Sequence, residues 1–188
     1  MCKTAQKDIC YNFILHFSCS HWLVENGQRV PAKREVQIPE EAGKYPKVLE
    51  KDILRGSLSP FRSCYDVTYY DLSVKLNIEE KSITGNCQIK AIAQNNFDTL
   101  QVDLFENMNI VSIVKNGKDL SFYRQHNAVF IKIPEMIKDT LFEIIIQYEG
   151  TPEEAKKPPW DGGFVWDEDK NETPFIGLTC EGVGASLW

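Results

Sequence analysis

From residue 64 onward, apolar positions recur at every second place. Leu72, Val74 and Leu76 alternate with polar neighbours, the period that turns one face of a strand toward a core and the other toward water. Residues 64–76 are also rich in β-branched and aromatic side chains, which favours a strand. Residues 79–82 make a polar turn, and residues 83–93 return with Ile89, Ala91 and Ala93 on one face, so the pair is predicted as a hairpin. Residues 99–105 follow the same rule: Leu100, Val102 and Leu104 point inward, Gln101 and Asp103 outward. Asn116-Gly117 stands between strand-like runs at 110–114 and 120–124, a strong hairpin signal because a type I′ turn needs positive φ at both central residues. Residues 129–133 and 141–148 complete the series. The Ile144-Ile145-Ile146 run predicts a central strand buried on both faces.

No stretch from Asp52 on carries a helical period, so the pattern predicts an all-β chain, an antiparallel sandwich or strongly twisted sheet. The catalytic loops of a parallel α/β core are thereby excluded. Before this region the texture differs. Residues 1–24 read as a leader in which Lys3 and Lys7 precede a broken apolar run. That order is a weak secretory-signal pattern and leaves two compartments open, exported or periplasmic if it is a signal, cytoplasmic if not. Residues 25–51, with three prolines and two glycines, read as a polar linker. Nothing reaches the ~18 consecutive apolar residues of a membrane-spanning helix.

Composition narrows the function classes. A net charge of −6 over 188 residues and a pI near 5.2 argue against nucleic acid as a partner, which demands a cationic patch. The six cysteines at 2, 10, 19, 64, 87 and 180 lack metal-ligand spacing and read as small buried hydrophobes. There is no HExxH, no Gly-x-Ser-x-Gly and no phosphate-binding glycine loop. His126 stands alone and reads as structural or solvated. Asn171-Glu172-Thr173 matches a glycosylation acceptor.

Two stretches remain. Pro158-Pro159-Trp160-Asp161-Gly162-Gly163 is a rigid loop turning into a strand, expected as a corner with Trp160 over the core. Its alternative use is as a docking loop, since aromatics on preorganised loops are common interface anchors. Residues 175–180 form a short strand that runs into a glycine-punctuated turn and leaves Glu181 where the strand ends. Glycines there permit positive backbone angles and close approach of another surface.

Taken together, three segments resemble the N-terminal β domain of the zinc-dependent aminopeptidase N family, the gluzincin group that includes the leukotriene-hydrolysing enzyme. Leu54-Arg55-Gly56-Ser57-Leu58-Ser59-Pro60 with residues 64–70 resembles the opening strand of bacterial members. Pro158-Pro159-Trp160-Asp161-Gly162-Gly163-Phe164 resembles a loop of one bacterial branch. Cys180-Glu181-Gly182-Val183-Gly184-Ala185-Ser186-Leu187-Trp188 resembles the segment that leads into the catalytic domain. The resemblance covers residues 52–188. It implies a saddle-like, mostly antiparallel domain, a catalytic domain and peptide N-termini as partners, and Trp160 and Trp188 at the domain interface. It also implies that Glu181, with Cys180 and Thr179 beside it, receives the substrate α-ammonium. Many relatives carry Gln where Thr179 stands, which would leave the first specificity pocket roomier. The zinc ligands belong to the catalytic domain of that family, so zinc is implied for the longer enzyme and no catalytic residue or metal ligand for these 188 residues. The second reading is a free-standing β-sandwich that binds or adheres through the Trp160 loop. The apolar Leu187-Trp188 ending is the feature expected of a domain continued by another.

Overall fold

The computed structural model describes residues 47–183 and 186 in full, and of strands β1 (Ile9–Leu15), β2 (Leu23–Glu25) and β3 (Gln28–Val30) the backbone alone. Trp188 lies outside the described residues, as do most of the leader and the linker. The backbone of β1 pairs antiparallel with β4 (Tyr65–Asn77), and β2 pairs with β3.

The fold is an antiparallel sandwich. One sheet runs β1-β4-β5-β11-β7-β8, where β5 is Ser82–Ala93, β11 Leu141–Gly150, β7 Asn109–Lys115 and β8 Lys118–Asp119. The other runs β6-β10-β9, with β6 Phe97–Asp103, β10 Ala128–Met136 and β9 Phe122–Gln125. Alternation makes the core. Ile83, Cys87, Ile89, Ala91 and Ala93 of β5 and Phe142, Ile144, Ile146 and Tyr148 of β11 point the same way and are buried. The register brings Ile89 opposite Ile144 and Cys87 opposite Ile146. Leu100, Val102, Val129, Ile131 and Ile133 close the core from the second sheet. Each fully buried Leu, Ile or Phe contributes about 1.5–3 kcal/mol, so this double layer dominates stability.

The structure corrects several expectations. β11 is central, yet only one of its faces is deeply buried: Ile145 is half-buried and Gln147 exposed. Among the described residues no second layer covers the other face. The Asn116-Gly117 turn forms, with positive φ at both residues, but its returning strand is only the two residues of β8. After Leu120 N–H bonds Ile113 O at 2.7 Å, Lys132 N–H bonds Ser121 O at 2.8 Å, so the chain crosses to the second sheet and continues as β9. Two short helices also appear, α1 (Glu50–Gly56) and α2 (Pro60–Ser63), where no period signalled one. At α1 the Asp52 carboxylate accepts the Leu49 N–H (3.1 Å), which satisfies one of the free donors of a helix start. Pro60 opens α2, where its missing N–H costs nothing.

These helices cover the outer face of β6. Ser59 Oγ bonds Gln101 Oε1 (3.3 Å), Gln101 Nε2 donates to Leu54 O (3.2 Å), and Arg62 pairs with Asp103. Thr99, Gln101 and Asp103 are therefore buried, although the sequence pattern turned Gln101 and Asp103 toward water. Finally β12 (Gly163–Glu168) and β13 (Pro174–Thr179) form a separate hairpin. Phe164 and Trp166 stack at 5.6 Å and join it to the core.

Candidate functional site

The site is built at the open end of the β12–β13 hairpin. Thr179 is the last residue of β13 and lies opposite Gly163, the first of β12. Cys180 and Glu181 follow in a turn and are exposed, which corrects the expectation that all the cysteines are buried. Among the described residues no hydrogen bond or ion pair engages the Glu181 carboxylate. The Thr179 hydroxyl, by contrast, is turned inward. It donates to Asp161 O at 2.6 Å, with Gly163 O at 3.3 Å.

The loop between β11 and β12 is folded on Asp161. Its carboxylate accepts the N–H groups of Lys156 and Lys157, both at 2.6 Å, which ties the middle of the loop to its end. Trp160 sits at the outside of this fold and is 82% exposed, which corrects the expectation of a tryptophan over the core. Phe164 and Trp166 already occupy the core side. Phe175 and Leu178 are also exposed, at 57% and 51%. The hairpin thus presents large apolar side chains on both faces, because Leu178 pairs with Phe164 and Phe175 with Asp167.

Beside the turn, a cavity of about 400 Å³ opens between α1 and the ends of β6 and β10. Asp52, Arg55, Asp103, Glu106, His126 and Ser186 help to line it. Arg55 reaches from it to Gly182 O (2.7 Å), and Ser186 Oγ donates to Val183 O (2.7 Å). His126 is exposed, in the tight turn between β9 and β10 with φ of 54°. At the far end of the hairpin, backbone N–H groups of Thr173 and Asn171 hold the Asp169 carboxyl below its ordinary range. No group of three His, Cys, Asp or Glu side chains among the described residues could hold a metal ion, and no described helix is long and apolar enough to cross a membrane.

Sequence reasoning singled out Glu181, Cys180, Thr179, Trp160 and Trp188; the first four lie around the hairpin base, and Trp188 is outside the described residues. That reasoning missed Arg55, which is separated from Gly182 by 127 residues. No local pattern could have revealed that contact. The same reasoning also missed that Gly162 lies against the turn, where an added Cβ would stand 2.7 Å from Glu181 O; the Gly162-Gly163 pair was a faint signal of that approach.

This geometry defines a β-sandwich with an appended hairpin that carries the Glu181 carboxylate at its open end. No known family profile and no curated protein sequence matches the chain. Among solved structures it is similar to yeast LTA4 hydrolase in complex with bestatin, at 16% identity and a TM-score of 0.48, over 85% of this chain and 24% of that one. It is also similar to an M1 zinc metallopeptidase from Deinococcus radiodurans, at 17% identity and a TM-score of 0.37, over 45% of this chain and 21% of that one. The chain therefore spans less than a quarter of the length of either.

Proposed function

We propose that these residues are the non-catalytic N-terminal domain of a zinc aminopeptidase, of the bacterial branch that the Pro158–Phe164 loop resembles, and that Glu181 binds the α-ammonium of the peptide. The observation that carries the reading is the disposition of Glu181: its carboxylate is exposed and unengaged among the described residues, while the strand before it and the turn around it are tied to the rest of the fold. A carboxylate displayed on fixed backbone suits recognition of a small cation, because little order has to be created on binding. Charge-assisted hydrogen bonds from an ammonium to such a carboxylate are about twice as strong as neutral ones. A peptide without a free N-terminus would leave the carboxylate desolvated and unpaired at a cost of ~1–3 kcal/mol, a discrimination of about tenfold to several hundredfold.

Exposed Trp160, Phe175 and Leu178 supply a surface that a catalytic domain would cover. The described residues offer no zinc ligand set, so no step through zinc is assigned to them. Zinc chemistry and its ligands belong, on this reading, to the domain that follows.

Sequencing the native reading frame past the codon for Trp188 tests the proposal. Continuation into Gly-x-Met-Glu-Asn and HExxH supports it. A stop codon directly after Trp188 overturns it in favour of a free-standing binding module. In the longer product, Glu181→Ala is expected to raise KM for free peptides about tenfold or more, and an unchanged KM sinks the role given to Glu181.

A further inference from the structure

The turn that bears Glu181 is held from two sides by residues distant in sequence. On one side stands the 156–163 loop. Asp161 fixes its shape through the Lys156 and Lys157 N–H groups, and its carbonyl takes the Thr179 hydroxyl at 2.6 Å. Gly162 then lies directly against the turn: a Cβ there would stand 2.7 Å from Glu181 O and collide with the Val183 side chain. On the other side stands α1. Arg55 Nη1 donates to Gly182 O at 2.7 Å, and its Nη2 pairs with Asp52 at 3.3 Å, which aims the guanidinium along its own helix. Ser186 completes the frame, donating from Oγ to Val183 O and accepting the Phe105 N–H through its carbonyl at 3.1 Å.

We infer that Arg55, Asp161 and Gly162 are positioning residues that set where the Glu181 carboxylate stands. The inference rests on the proposed role of Glu181 in binding an ammonium group. None of the three touches the carboxylate. They grip the carbonyls and the strand end on either side of it, so residue 181 is fixed through its main chain. Arg55 is half exposed, and among the described residues its guanidinium bonds only Asp52 and Gly182 O, so the bond to Gly182 O serves the turn. Misplacing a binding group by about 1 Å is enough to cost up to 10²-fold in rate, which is the scale on which such a frame matters.

The test has two arms. In the 188-residue protein, amide ¹⁵N order parameters of Glu181 and Gly182 are measured in Arg55→Ala, Arg55→Lys and Asp161→Ala. Loss of either anchor is expected to lower them from about 0.85 toward 0.6 or below, with Arg55→Lys retaining the higher value because an ammonium can still donate to Gly182 O. Unchanged values in both alanine variants overturn the inference; if Asp161→Ala fails to fold, the Arg55 pair decides alone. In the full-length protein, Arg55→Ala is expected to raise KM for free peptides about tenfold, with kcat little changed and Arg55→Lys restoring KM. Should Glu181→Ala leave KM unchanged, the binding role of Glu181 falls, and with it the purpose of the frame. Should Glu181→Ala raise KM while a loosened Arg55→Ala does not, the role of Glu181 stands and the positioning inference falls.

Discussion

Gly85 and Tyr148 face each other across β5 and β11, and the tyrosine ring occupies the space that a side chain at residue 85 would need. Tyr148 is wholly buried, so the ring has nowhere to retreat. Gly85→Ala is therefore expected to destabilise the protein by about 1–3 kcal/mol, the usual cost of overfilling a packed core. Urea unfolding measures it. A midpoint within error of the parent would mean that the ring can tilt away freely. Replacing Tyr148 by Phe keeps the ring over the glycine and should leave the Gly85→Ala penalty in place.

Arg62 joins α2 to β6 through Asp103, whose side chain is 5% exposed. The same guanidinium donates to Leu54 O at 2.8 Å. Arg62→Met removes the cation and leaves a buried carboxylate with only part of its partners, notably Gln101 Nε2 at 3.0 Å. The expected loss is about 3–5 kcal/mol. Combining Arg62→Met with Asp103→Leu should recover most of it, since a buried ion pair replaced by apolar groups is often neutral. A double variant no more stable than Arg62→Met alone would count against this account.

Burial pushes the Cys64 thiol up to about 11 and the Cys87 thiol up to about 12 from an ordinary 9.0. The Tyr148 and Tyr65 hydroxyls are raised by burial as well. In the unfolded chain these groups lose their protons first, so their stabilising effect is complete below pH 9 and is lost as pH rises from 9 toward 12. Stability should be flat between pH 7 and 8.5 and fall steeply above 9.5, with Cys87→Ala softening the fall. At pH 8, alkylation followed by peptide mapping should label exposed Cys180 and spare Cys64 and Cys87. Equal labelling of all three would contradict the burial.

The purified 188-residue chain, supplied with zinc, is expected not to cleave an aminoacyl chromogenic substrate above a Glu181→Ala control. Turnover that disappears in the control would mean that these residues hold catalytic machinery of their own. The same preparation should bind a hydrophobic dye through Trp160, Phe175 and Leu178, and Trp160→Ser should reduce the signal.

Alternation made β4 and β5 legible in the sequence, because they form a hairpin of near neighbours with one face toward the core; at β11 the apolar run marked the strand but not the open side of it. It misled at β6. Gln101 and Asp103 are polar for the sake of α1 and α2 above them, not for water, and cover of that kind leaves no period behind. The Asn116-Gly117 signal specified the turn correctly and nothing beyond it, since the crossing at Leu120 and Ser121 is decided by bonds to the other sheet. Of the candidate site, the place of Glu181 just past the end of a strand and the positive φ of Gly182 after it could be read directly. Arg55 could not: its part rests on a contact 127 residues away in the chain.

The bonds that Arg55 and Ser186 make to the turn after residue 181 end on carbonyl oxygens, those of Gly182 and Val183. Every amino acid carries that atom. The scaffold is consequently indifferent to what is mounted at positions 180 and 181, which behave as an interchangeable tip on a fixed handle. Chemistry there can be exchanged by single substitutions, in the laboratory or by descent, while the sandwich beneath is left unaltered.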